Sequence, residues 1–410
     1  MKAKNYFRSV FFFPIFLGVF FGLCDIFGGL IFAVSVISDV DITTTAVVGV
    51  ESNKDKERSE SKVDSDNKSD NKSDKKSDKK SVGDIVVNSE IESGVGGDKS
   101  DKGDGGVKSV LDLGSVWLFV YYTNKGHDGL FYAWSNDGLL WRPIREGKPV
   151  LKPEVGEDPK NRLMRAPSIC RGLDGTYHMV WAIARESRSI GYASSRDMIN
   201  WSKQKLIPVM EHEKNARNAW DPELFYDNRS KRFYIIWAST VMGSFKETAG
   251  SSESDFNHRL YYATTENFND FTKAALFWNP DHNVMDPLLI EDKSGEESRR
   301  YLLFYKDETL KPTPKKNLLL ATGAMPTGPF NVQKVVSHTD WVQGPSVLKI
   351  GGEWYLYYDC YGKRHFGAVK SSDLNNWTNI TEKLCFPTNA RQGTIIEIDK
   401  EILKKLQELK

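Results

Sequence analysis

The chain is poor in cysteine. Of 410 residues only Cys24, Cys170, Cys360 and Cys385 carry a thiol, and their spacing matches neither a zinc site nor a disulfide framework. A large charge of one sign is also missing: 56 basic and 55 acidic residues leave a formal net charge of +1. That balance gives no electrostatic footprint for nucleic acid. Aromatics are absent from the stretch between Glu51 and Lys108, where Lys68-Ser69-Asp70, Lys72-Ser73-Asp74 and Lys76-Ser77-Asp78 form a short tandem array. Such a segment cannot bury enough apolar surface to offset its ordering entropy, so residues 42–110 read as a solvated linker. Ahead of it, Lys2, Lys4 and Arg8 precede an apolar run from Val10 to Leu23, and a second run continues to Ile37. A basic start and an apolar centre read as a secretory signal or a membrane anchor over residues 1–41. The expected location is secreted or cell-surface. Cys24 makes only a poor lipoprotein box, because Leu23 is too large for that cleavage site.

What is present begins after the linker. A pattern of Ala followed 8 or 9 residues later by an aromatic occurs five times: Ala133…Trp141, Ala193…Trp201, Ala263…Phe271, Ala321…Phe330 and Ala368…Trp377. The spacings between the alanines are 60, 70, 58 and 47. Aromatic and β-branched runs precede each repeat, among them Val116–Tyr122, Tyr177–Trp181 and Trp354–Tyr358. Such runs suit strands packed on both faces. A strand-built repeat of this length predicts a β-propeller. The N-terminal strand pair lacks a preceding inner strand, and the C-terminal run Gln392–Ile398 lacks followers. Joined, they complete a fifth blade and close the ring. Residues 111–400 are therefore expected to form an all-β, five-bladed propeller, with 401–410 a short charged helix. A monomer is expected.

A propeller directs the inner strand starts of all blades at one axis. Those starts carry Ala166, Asp221, Asp286, Gln343 and Gln392. Two carboxylates facing one cleft suit glycosidic chemistry, one acting as acid and one as base or nucleophile. Asp221 and Asp286 are the candidates. Glu223 shares a face with Asp221 but lies deeper. The bland reading is an Asp that caps a turn. Trp220 and Trp341 stand beside inner positions, where indole faces can stack on sugar rings. Trp181 ends a middle strand and could reach cleft or core. Arg165 and Arg391 could hold hydroxyls or a carboxylate, with ion pairing inside the ring as the plain alternative.

Met164-Arg165-Ala166-Pro167-Ser168-Ile169, Asn218-Ala219-Trp220-Asp221-Pro222-Glu223, Met285-Asp286-Pro287, Trp341-Val342-Gln343-Gly344-Pro345 and Arg391-Gln392-Gly393-Thr394 resemble, in order, the motifs of glycoside hydrolase family 43. These five-bladed propellers trim arabinose, xylose and related sugars. The resemblance implies an aspartate general base where this chain has Ala166 and a glutamate general acid where it has Gln343. A histidine associated with a central water or calcium ion is implied where it has Gln392, so no cofactor is expected. Asp286 matches the carboxylate that tunes the acid. Ala166 accepts no proton, and Gln343 cannot release one near neutral pH. The expectation is an oligo- or polysaccharide ligand of the arabinose, xylose or galactose class with impaired or absent hydrolysis. The alternatives are an active exo-glycosidase using Asp221 and Asp286, or a propeller displaying a non-carbohydrate interaction surface.

Overall fold

The computed structural model describes residues 20–26, 29–35, 116–156, 158–293 and 300–410. The chain divides into two units, Met1–Lys99 and Ser100–Lys410. In the first, β1 (Phe20–Ile26) and β2 (Gly29–Ser35) pair as an antiparallel hairpin. No helix among the described residues is long and apolar enough to cross a membrane. The linker expected over 42–110 lies outside the described residues, as does most of the apolar N-terminal segment.

The second unit is a ring of five four-stranded antiparallel sheets. From axis to rim, one blade runs β6 (Arg165–Arg171), β7 (Tyr177–Ala182), β8 (Ile190–Ser195) and β9 (Lys205–Ile207). The next has β10 (Trp220–Asp227), β11 (Arg232–Thr240), β12 (His258–Thr265) and β13 (Ala275–Trp278). It is followed by β14 (Val284–Asp292), β15 (Arg300–Asp307), β16 (Asn317–Gly323) and β17 (Phe330–Val335). A fourth blade has β18 (Gln343–Ile350), β19 (Glu353–Cys360), β20 (His365–Ser371) and β21 (Thr378–Asn379). The last joins the two ends of the domain: β22 (Ala390–Ile398) pairs with β3 (Val116–Thr123), then β4 (Leu130–Ser135) and β5 (Arg142–Pro143). Both ends are thus held in one sheet, and no long edge is left open. The terminal helix α1 spans Lys400–Gln407, slightly earlier and shorter than expected, and buries Ile402, Leu403 and Leu406.

The core is divided five ways. Five apolar clusters form, each between two neighbouring blades; Trp181, Met179 and Leu118 belong to one, Trp237 and Phe268 to another. The repeated Ala lies within these clusters, and all five are at most 3% exposed. Glycine in β8 and β20 instead makes room for an aromatic ring on the adjacent strand of the same blade. A Cβ on Gly191 would lie 2.1 Å from the Trp181 ring, and one on Gly367 would lie 2.4 Å from Tyr358. Hydroxyls stitch the inner strands together: Ser168 Oγ accepts from the Leu224 amide, Ser346 Oγ from Ile395 and Thr394 Oγ1 from Ile169.

Candidate functional site

Each inner strand of the four uninterrupted blades is broken by a bulge near its start. The ladder skips between Arg165 and Ser168, Trp220 and Glu223, Met285 and Leu288, and Gln343 and Ser346. The first residue inside each bulge is left-handed: Ala166 at φ 45°, Asp221 at 48°, Asp286 at 52° and Gly344 at 58°. The bulge turns these residues into the axis, and a Pro follows each of them. Asp and Gly tolerate this conformation better than Ala does. The equivalent of Ala166 in the fourth blade is therefore Gly344, a correction to the expectation that placed Gln343 there. Gln343 stands in register with Arg165, Trp220 and Met285, one step above the axis. Gly344 is required because a Cβ there would meet the Cβ of Gln392 at 2.2 Å.

The axis holds a narrow well lined by Ala166, Asp221, Asp286, Gly344 and Gln392, with a volume of about 30 Å³. That is room for a water or two, not for a sugar ring. The Gln392 amide nitrogen donates to Asp221 Oδ1 at 3.0 Å and to Asp286 Oδ1 at 2.8 Å. Oδ2 of each Asp is buried and has no hydrogen-bond partner. Burial, then repulsion from Asp286, holds the Asp221 pKa well above the usual carboxylate range; burial raises Asp286 as well, against the opposing pull of Lys306. The calcium ion implied by the family resemblance does not fit here. The two acidic groups already grip an amide NH₂, and no group of three His, Cys, Asp or Glu among the described residues could hold a metal.

Above the well lies a larger cavity of about 190 Å³, open at its mouth. Arg165, Trp220, Asp221, Gln343 and Gln392 line it, as proposed from sequence, together with Ala182, Ala184, Met285, Lys306, Glu308, Lys316, Glu253 and Tyr361. Trp220 is fixed by its indole N–H, which donates to the Arg185 carbonyl at 2.7 Å, and by packing on Phe256 and His258. Gln343 Nε2 donates to Asp359 Oδ2 at 3.2 Å, and Arg391 Nε donates to the same oxygen at 2.7 Å. Arg391 is thus ion-paired inside the ring, the plainer of its two expected roles. Trp341 is 42% exposed and meets Tyr361 edge-on.

Two candidates fall elsewhere. Trp181 is 0% exposed and packs between blades, so it belongs to the core and not to a binding surface. Its ring is held there because Gly191 leaves the space it fills. Glu223 lies beneath the well, where it also borders an apolar funnel on the opposite face lined by Leu224, Leu288 and Ile395. Burial pushes its carboxyl up to about 8.

The sequence reading missed the charged wall. Lys306 Nζ contacts Glu308 Oε2 at 2.6 Å, Lys316 bonds to Glu308 Oε1, and Lys316 lies 3.5 Å from Glu253. Burial works against the Lys306 charge, but Glu308 and Asp286 outweigh it and raise its pKa. A signal was available: Lys306 ends the otherwise apolar run Tyr301–Tyr305. A lysine buried at such a point requires an acidic partner close by.

A five-bladed propeller with carboxylates on its axis, beneath an open polar cavity edged by tryptophan, defines a scaffold of the glycoside-hydrolase type. Residues 114–403 match the model of a probable glycosyl hydrolase domain related to family 43, and the chain belongs to that family. Among solved structures it is similar to an α-L-arabinofuranosidase from Lactobacillus brevis, at 19% identity over 54% of this chain and 74% of that one, with a TM-score of 0.39. It is also similar to a GH43 enzyme from Xanthomonas citri complexed with xylotriose, at 13% identity over 56% and 75%, with a TM-score of 0.43. A third is a GH43 β-1,3-galactosidase with galactodeoxynojirimycin, at 14% identity over 55% and 79%, with a TM-score of 0.41. No curated protein matches the chain.

Proposed function

We propose that the protein binds a saccharide of the arabinose, xylose or galactose class in the upper cavity and has lost most or all hydrolysis. The state of the two proton-transfer positions carries this reading. Ala166 presents a methyl group to the axis, and the Gln343 amide is tied to Asp359. Neither group can move a proton near neutral pH. Loss of one such group costs about a hundred- to ten-thousand-fold in rate, and here both are missing. The sugar class rests on family membership, and the Trp220 and Trp341 rim supports it.

The deciding experiment is the paired restoration Ala166→Asp with Gln343→Glu, assayed on arabinoside, xyloside and galactoside substrates beside the native protein. Backbone geometry favours the first change, since residue 166 already holds the left-handed conformation that two of its counterparts fill with Asp. The Asp359 carboxyl favours the second, because a neighbouring acid raises the pKa of a general acid. The expected gain is at least about a hundredfold over native turnover. Native turnover within about tenfold of the restored protein, on a scale where each proton-transfer group contributes far more, would end the reading.

One observation favours a second reading, in which Asp221 and Asp286 perform hydrolysis. Both are buried with raised pKa values, as a general acid requires. Against it, Gln392 occupies the space between them, and the two bonded oxygens lie within about 6 Å of each other. That is too close for an inverting pair, which needs roughly 6.5–9.5 Å with water between, and leaves only a retaining route, at about 5–5.5 Å, to test. Abolition of measurable turnover by Asp221→Asn would favour this second reading; unchanged turnover would remove it. Export or membrane anchoring through residues 1–41 is part of the proposal, motivated by Lys2, Lys4, Arg8 and the apolar run after them. Recovery of the whole protein in the soluble cytoplasmic fraction of its source cells would refute that part.

A further inference from the structure

Resting on the saccharide-binding reading, we infer that the bound saccharide is acidic, a uronate whose carboxylate is taken by the guanidinium of Arg165. Among the described residues, the basic side chains of the cavity wall are ion-paired with one exception. Lys306 and Lys316 converge on Glu308. Arg391, just outside, is held by Asp359. Arg165 faces the cavity and has no carboxylate within ion-pair distance among the described residues; its guanidinium carbon stands 5.9 Å from the Tyr122 ring, and Asp221 and Asp286 act on it only at longer range. Asp221 is the nearest acid in the lining, but its Oδ1 accepts from Gln392, and the pair it forms with Asp286 is drawn together over one amide.

The burial of these charges points the same way. Lys306 and Lys316 have side chains only 3% and 1% exposed, and the carboxylate they share, Glu308, is 12% exposed. Two lysines share this one carboxylate, and the other buried acid acting on Lys306, Asp286, has its charge disfavoured by burial. The balancing acid, Glu253, stands at the mouth with its side chain 59% exposed, on the segment between β11 and β12. Water screens it there, so it neutralises the interior poorly. A planar carboxylate entering beside Trp220 would meet a planar guanidinium, the geometry that permits a bidentate bond. A neutral sugar would leave Arg165 to a hydroxyl and gain less.

The test is calorimetric titration of the full chain with three probes: a xylo-oligosaccharide carrying a glucuronate branch, the same oligosaccharide without it, and inorganic phosphate. The expected result is about ten- to a hundredfold tighter binding of the acidic probe than of its neutral parent. Arg165→Gln should erase that preference, weakening the acidic probe by far more than the neutral parent. Arg165→Lys should restore part of it. Glu253→Gln should increase it, because the competing acid at the mouth is gone. Near-ultraviolet circular dichroism checks that each variant is folded. Equal affinity for both oligosaccharides would overturn the inference and leave the carbohydrate reading standing. Binding of neither would overturn both. Phosphate binding as tight as the acidic probe would make this a general anion site and remove the sugar assignment.

Discussion

The flanks of the blades and the axis are built from the same five-fold repeat but use it in opposite ways. On the flanks the repeat is chemical as well as geometric. Ala133, Ala193, Ala263, Ala321 and Ala368 all lie in close-packed clusters between blades. At the axis only the backbone repeats. The counterparts there are Ala166, Asp221, Asp286, Gly344 and Gln392, four residue types in five places. Packing between blades permits one solution and repeats it. The axis is a single place, so its positions are free to specialise.

The sharpest way to break the contrast is to cut into a flank. Trp237 is 0% exposed and sits in the cluster between its blade and the preceding one. Trp237→Ala should lose about 3–5 kcal/mol, the range for deleting a buried aromatic. Urea unfolding should show the unfolding free energy in water falling by that amount, with a correspondingly lower midpoint. A loss below about 1 kcal/mol, typical of an exposed position, would mean that the flank is loosely packed.

At the axis the effect should be smaller and dependent on pH. Gln392→Leu removes the amide that Asp221 and Asp286 share and leaves two buried acids facing a hydrocarbon. The expected loss near neutral pH is about 1–3 kcal/mol. Both carboxyls have folded-state pKa values raised above the unfolded ones. Their contribution to stability is therefore fully present below the ordinary carboxylate range and is lost as pH rises through the folded values. The variant's deficit should widen in that direction, and an equal deficit at all pH values would contradict the arrangement.

Glu223 sharpens the same point from beneath. Its pKa is raised from 4.5 to about 8 by burial. Its contribution is full below about 4.5 and falls away as pH climbs to about 8. Glu223→Gln keeps the shape and removes the titration. At about pH 9 the variant should be more stable than the native protein by on the order of 1–2 kcal/mol, after allowance for water in the funnel. At about pH 4 the two should match. Thermal melts at both values decide it.

The difference between flank and axis also decides what could be read from the chain. The ring was legible because the Ala and aromatic repeat recurs, and because the strands around Val116 and Gln392 each lack a partner. Site positions on the inner strands were legible for Arg165, Trp220 and Asp221 through their Pro neighbours. The phase of the fourth blade was misread at Gln343, although Gly344-Pro345 carried the same Pro mark. Glu253 was out of reach, since it comes from residues 241–257, whose return over the cavity depends on bonds such as Thr248 to Asn257 and Arg259 to Thr248. No local pattern records those contacts.

The smallest effect on stability should come from Trp341, and it tests whether the rim binds or merely decorates. Its side chain is 42% exposed, touches Tyr361 edge-on at 6.2 Å, and has Lys316 5.9 Å from its ring. Little apolar area is removed from water, so Trp341→Ala should change unfolding free energy by no more than about 0.5 kcal/mol. If the ring stacks on a sugar bound above Gln343, the same substitution should weaken oligosaccharide binding by about two- to tenfold, the worth of one aromatic face. Parallel melts and titrations separate the two quantities. A stability loss as large as that at Trp237 would place Trp341 with the flanks, and unchanged affinity would leave Trp220 as the cavity's stacking surface.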